Sequence, residues 1–158
     1  MNPGRAAIAP LAGPAASGHC HPVRVYYEDT DAGGMVYHAN YLKFAERART
    51  ELMRSIGFSH SQSHAESGIR FVVSRCAVEY RAAARLDDAL TVTTTVARIG
   101  AATLLLQQVI RRDGELLAVL DIVVACIGRE GRPCRLPPAL RAALAAGGQP
   151  SLATPLSK

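Results

Sequence analysis

The densest chemistry in this chain lies between Tyr26 and Tyr41, in the run YYEDTDAGGMVYHANY. Three acids, Glu28, Asp29 and Asp31, are followed by Gly33, Gly34, His38 and Asn40, with four tyrosines among them. A carboxylate can attack an electrophilic carbonyl or draw a proton from water, and a histidine can relay protons. The unpaired amides at the start of a helix can hold a developing oxyanion. An activated ester such as a thioester needs little more than this. The same residues also suit a solvated loop whose acids cap a helix, and their types alone leave both readings open. Other chemistries fit less well. Glu28, Asp29, Asp31 and His38 match no familiar metal-ligand spacing. The glycine pair lacks the phosphate-loop pattern G-x-x-x-x-G-K-[ST], and there is no G-x-S-x-G serine elbow. No nucleic-acid module is recognisable.

Particular elements must position this segment. Before it, residues 22–28 read as a strand, with Val23, Val25 and Tyr27 in alternation. After it, Tyr41, Phe44 or Ala45, Ala48, Leu52 and Ile56 recur three or four apart, which predicts an amphipathic helix of roughly 16 residues. Asn40 is its expected N-cap and Gly57 its stop. A short second helix is expected within 58–68, capped by Ser61 or Ser63. Four strands follow, near 69–81, 88–98, 102–112 and 115–127, with Asp113-Gly114 as a hairpin turn. Residues 128–136 form a basic loop, and Pro137-Pro138 open a last short helix through Leu144. The order strand, helix, four strands predicts an α+β domain of two layers around one core. Leu105, Val109, Leu120 and Ile122 suggest that the second face of the sheet is also apolar. A partner subunit is therefore expected.

The 158 residues suit one domain, and 49% hydrophobic content suits a packed core. That domain is expected over 21–146, between a disordered extension, 1–20, and a flexible tail, 147–158. The net charge of +5 favours acidic partners without choosing among anionic cofactors, nucleic acid and lipid headgroups. Cysteines 20, 76, 126 and 134 form no C-x-x-C pair, and Cys76 and Cys126 are expected as small buried hydrophobes. No apolar run is long enough to span a membrane. Pro10 and Pro14 interrupt the start where a signal peptide needs an unbroken apolar core, so the cytoplasm is the default location.

The stretch VRVYYEDTDAGGMVYHANYLKFAERARTELMRSIG, 23–57, closely resembles the YbgC-like subgroup of the 4-hydroxybenzoyl-CoA thioesterase family. The likeness continues through FVVSRCAVEYRAAARLDDALTV, 71–92, and covers roughly 22–140. It implies a hotdog fold, in which a curved antiparallel sheet wraps a long helix, and hydrolysis of acyl-CoA or acyl carrier protein thioesters. Two rivals are a hotdog hydratase or dehydratase and a non-catalytic binding module of an envelope complex. Coenzyme A would enter as part of the substrate, with no separate cofactor and no metal. The resemblance puts the catalytic carboxylate on Asp31, as nucleophile or general base. It puts His38 where a backbone N–H faces the thioester carbonyl. Tyr27, Asp29, Gly33, Gly34 and Asn40 become substrate-side supports, and Arg129, Arg132 and Arg135 a rim for the phosphates of coenzyme A. The same arginines also suit a plain solvated loop. A homodimer or homotetramer with its site at the subunit interface is implied. So is a link to the Tol-Pal system of the cell envelope, without a membrane span and without nucleic acid. Met35 stands where the subgroup often has valine, an apolar exchange.

Overall fold

The computed structural model describes residues 18–146. Five strands form one antiparallel sheet: β1 (His19–Arg24), β2 (Arg70–Tyr80), β3 (Ala89–Ile99), β4 (Thr103–Arg112) and β5 (Glu115–Ile127). Their order is β1-β3-β4-β5-β2. Strands β3, β4 and β5 form a meander. At its second turn Asp113 and Gly114 both take positive φ, as a tight hairpin of right-handed twist requires. Helix α1 (His38–Ser55) carries the chain from one edge of the sheet to the other, and α2 (His60–Ser67) and α3 (Pro138–Ala145) are short. This is the α+β hotdog architecture.

Helix α1 buries Tyr41, Phe44, Ala45, Ala48 and Leu52, spaced as one helical face. Ala45 and Ala48 are fully buried, and their small size lets the helix lie close to the sheet. One buried polar group pins the two layers together. The Gln108 amide on β4 donates to the Ala45 carbonyl and to Thr94 Oγ1, both at 2.8 Å, and accepts from Arg49 at 2.8 Å. A side chain satisfied on every side fixes the register of helix on sheet.

Several boundaries differ from the sequence expectations. Strand β1 begins at His19, inside the stretch expected to be disordered. The rest of that extension, and the tail from 147, lie outside the described residues. The first strand stops at Arg24 because a carboxylate bends the chain soon afterwards. Helix α1 starts three residues early, at His38 with Tyr37 as N-cap, and Asn40 lies inside its first turn. Ser59, not Ser61 or Ser63, caps α2 by accepting from Gln62 N at 3.3 Å. Leu120 and Ile122 belong to the core on the helix side, in register with Gln108 and Leu106. The opposite face carries Leu105 and Val109 around the polar pair Gln107 and Asp121, so it is less apolar than expected. Cys126 is buried, but Cys76 is exposed, because β2 is an edge strand. Among the described residues, no helix is long and apolar enough to cross a membrane.

Candidate active site

After β1 the main chain of Val25 still pairs with Asp88 and Asp87. The Asp29 carboxylate then takes the Tyr26 amide at 2.9 Å and turns residues 27–29 into one tight 3-10 turn. Asp29 is only 4% exposed. Its carbonyl accepts from Tyr37 N at 2.8 Å and from Asn40 Nδ2 at 2.9 Å. Asp29 and Asn40, expected beside the substrate, instead fasten the acidic loop to the first turn of α1.

Held at both ends, residues 30–36 fold into a small hairpin. Thr30 pairs with Val36, Asp31 N donates to the Met35 carbonyl at 2.9 Å, and Gly34 N donates back to the Asp31 carbonyl at 3.0 Å. Gly34 sits at φ +73°, where a side chain is strained. Gly33 donates its amide to Asp31 Oδ1 at 2.8 Å. A Cβ on Gly33 would lie 3.1 Å from that oxygen, so the residue must be small for the contact to form. Asp31 thus stands at the hairpin tip with one oxygen held. The other has no protein partner among the described residues.

The tip faces the start of α1. No side chain caps that helix end. The amides of His38 and Ala39 precede the first turn of intrahelical bonds and have no acceptor within it. Asp31, His38, Met35 and Tyr41 share an open hollow of about 370 Å³ with Tyr80 and the segment Arg81–Ala83. Tyr80 donates its hydroxyl to the His38 carbonyl at 2.9 Å. Burial, then Cys76 and Tyr41, push the Tyr80 phenol up, so it stays a protonated donor. Tyr41 Oη accepts from Ala84 N at 2.9 Å, and the Ala84 carbonyl accepts from Val36 N at 2.9 Å. The 81–88 loop is therefore stitched to both the helix and the hairpin.

That loop is anchored by Asp88. Its carboxylate accepts from Arg85 N at 2.7 Å and from Arg112 Nη1 at 2.6 Å. Burial pushes the Asp88 carboxyl up. The Arg85 amide and the Arg112 guanidinium outweigh it and hold the group below the usual carboxylate range.

The structure therefore joins Asp31 and His38 around one hollow, while Gly33 and Gly34 shape the hairpin that carries Asp31 and do not line it. Tyr27 is 81% exposed and does not line it. The arginines lie elsewhere within the chain. Arg129 Nη2 reaches the Glu66 carbonyl, and the Arg129 carbonyl accepts from Arg70. Arg70 opens β2, and Tyr80 closes it beside His38. At about 3.3 Å per residue, Arg70 lies roughly 33 Å along the strand from Tyr80. The sequence reading had no role for Tyr80, for the 81–84 wall or for the Asp88–Arg112 anchor. Among the described residues, no cluster of three or more potential metal ligands occurs.

A long helix wrapped by a curved antiparallel sheet, with an acidic hairpin at its N-terminus, defines a hotdog-fold enzyme of the thioesterase kind. Residues 25–144 match the model of the Thioesterase-like superfamily. The acyl-CoA thioesterase YbgC of Haemophilus influenzae is 44% identical over 128 residues, 80% of this chain and 94% of that protein. The acyl-CoA thioester hydrolase YbgC of Escherichia coli is 47% identical over 107 residues, 67% of this chain and 79% of that one. A crystal structure of a probable thioesterase from Bartonella henselae superposes with a TM-score of 0.74 at 35% identity, covering 77% of this chain and all of that one. The chain belongs to the Thioesterase-like superfamily, within its YbgC type of acyl-CoA thioesterases.

Proposed function

We propose that the acyl-CoA thioester hydrolysis of this family is carried in this chain by Asp31, with the first amides of α1 holding the carbonyl oxygen. The observation that supports it is the shared hollow: a carboxylate with one unpartnered oxygen faces a helix end with unpaired N–H groups. A thioester carbonyl set between them is polarised from the amide side as negative charge grows on its oxygen. The free oxygen of Asp31 meets the carbonyl carbon directly or through one water. Either way, water ends on the acyl carbon, the C–S bond breaks, and the departing sulfur leaves as a thiol. The His38 side chain lies beside this path and orients carbonyl or water. Gly33 and Gly34 hold Asp31 in place. Asp29 and Asn40 act through the loop they fasten.

The long β2 edge supports a dimer. It is an 11-residue edge strand with Val72, Val73 and Tyr80 exposed, and such an edge invites pairing with a second copy. Antiparallel pairing of two β2 strands lays the Arg70 end of one copy beside the Tyr80 end of the other. It would carry Arg129, Arg132 and Arg135 to the partner's hollow, where they suit the phosphates of coenzyme A or of an acyl carrier protein's arm. This arrangement completes each site from two chains, as dimer or as tetramer. A cytoplasmic setting, with the peripheral link to the envelope machinery that the YbgC-like resemblance implies, completes the reading.

Asp31→Asn tests the central role. It should lower turnover of acyl-CoA by roughly 100-fold or more, within the range for acid–base groups, with fold and assembly intact. A variant that keeps wild-type turnover would overturn the assignment.

A further inference from the structure

A partly open void of about 160 Å³ lies beside the start of α2, toward the far end of α1 from Asp31. Leu52 and Met53 of α1, Leu104 and Leu106 of β4, Val124 of β5 and Leu144 of α3 line it, and all six are buried. Protein interiors keep few spaces wider than a water molecule, because the lining atoms then lose their contacts. Helix α2 does not fill this one. No residue of α2 is buried. His60 meets the void as part of an aromatic edge, 5.5 Å from Phe58 and 5.8 Å from Phe71 between ring centres. The mouth carries Glu46, Arg49 and Thr50 and opens to a groove of about 520 Å³ along the start of β2.

The void and the reaction hollow lie on one seam between α1 and β2. Tyr80 closes the seam at the hollow. Cys76 stands on β2 between Tyr80 and the Phe71–Val73 stretch. Arg49, Phe71 and Val73 border the void. From His38 to Thr50 the helix axis advances roughly 18 Å at 1.5 Å per residue.

We propose that the void beside α2 receives the far end of the substrate's acyl chain, so that this enzyme selects medium and long linear acyl groups over short or single-ring ones. The proposal rests on the thioesterase reading above and names the substrate class of that site. The six buried side chains at its inner wall suit an apolar occupant, and the polar residues stand at its mouth. A dry cavity of about 150 Å³ lined by Leu, Ile and Phe takes benzene, so a space of this size holds roughly six carbons of chain. The seam sets which carbons those are, because a short acyl group anchored at Asp31 ends before it reaches Glu46 and Thr50. Helix α2, with so few buried side chains, is the kind of weakly held element that opens to admit a ligand.

The test is kcat/KM for linear acyl-CoAs from butanoyl to hexadecanoyl, in wild type, Leu106→Phe and Thr50→Phe. Leu106→Phe fills the void from the sheet. Thr50→Phe blocks its mouth from a half-exposed helix position, so it remains informative if the core variant misfolds. The wild type should prefer chains longer than octanoyl. Each folded variant should lose about tenfold or more on those chains, the scale of a few excluded methylenes, with butanoyl turnover nearly unchanged. A wild type that prefers butanoyl, or folded variants with an unaltered length profile, would overturn the proposal. Absence of turnover at every length would instead remove the thioesterase reading, and this proposal with it.

Discussion

The two ends of the α1–β2 seam are built in opposite ways. At the Asp31 end, hydrogen bonds hold almost every residue. Asp29 ties the turn to the helix, Gly33 holds Asp31, Tyr80 and Tyr41 hold the helix start and the 81–88 loop, and Asp88 anchors that loop to Arg112. At the α2 end, a short helix without buried residues borders, through His60, an unfilled space with a largely apolar lining. The first end is organised before substrate arrives, as electrostatic stabilisation of a transition state requires. The second end can adapt, as recognition of a flexible chain requires. Rigidity and looseness are assigned here by chemistry: directional bonds where charge develops, and non-directional apolar contact where only shape matters.

This contrast can be broken most directly at the rigid end. Asp31→Asn should reduce turnover on every chain length by the same large factor, whereas changes at the α2 end should act on long chains alone. A loss at Asp31 that varied with chain length would mean that the two ends are not separate. His38→Ala comes next. Its backbone amide survives the substitution, so its loss of turnover should be clearly smaller than that of Asp31→Asn. A loss equal to that of Asp31→Asn would move the role from the backbone amide to the imidazole, and steady-state kinetics on one good substrate would decide it.

The sequence made the two ends unequally legible. The helix face was readable because Tyr41, Phe44, Ala48 and Leu52 repeat with a helical period, and the meander because Asp113-Gly114 marks its turn. The types at Asp31 and His38 suggested chemistry, and the resemblance supplied their roles. The helix start lies three residues before the one that residue types suggest, since Asn40 is a good cap by type. Its amide is spent on the Asp29 carbonyl, a contact that depends on where the loop lies. Tyr80 comes to the hollow from β2, and the Asp88–Arg112 pair ties the 81–88 loop to β4, all far from residue 31 in the chain, and no local pattern announces either meeting. The void beside α2 was hidden for a similar reason. Its six buried apolar lining residues come from four elements, and each of them reads simply as core.

The anchor sharpens the comparison through pH. Because Asp88 is held below the usual carboxylate range in the fold, its stabilising contribution is fully present above the unfolded value near 4 and is lost as pH falls through the lower folded value. Thermal melts of Asp88→Asn should therefore lie a few degrees below wild type at neutral pH and converge with it in acid. A gap that persisted unchanged into acid would show that the carboxylate's charge is not what holds the loop. KM for acyl-CoA should rise with the loosened wall of the hollow.

The smallest expected effect lies at the loose end. Ser59 caps α2 through its hydroxyl, which accepts from Gln62 N at 3.3 Å, and replacing such a cap by alanine typically destabilises by about 1 kcal/mol. Because α2 contributes no buried side chain, that loss falls on the local stability of that helix rather than on the core. Ser59→Ala should speed amide exchange within residues 60–67 and leave exchange in α1 and the turnover of short acyl-CoAs unchanged. If exchange in α1 rose together with that in α2, the two ends would share one cooperative unit, and the division between a fixed catalytic end and an adaptable binding end would not hold.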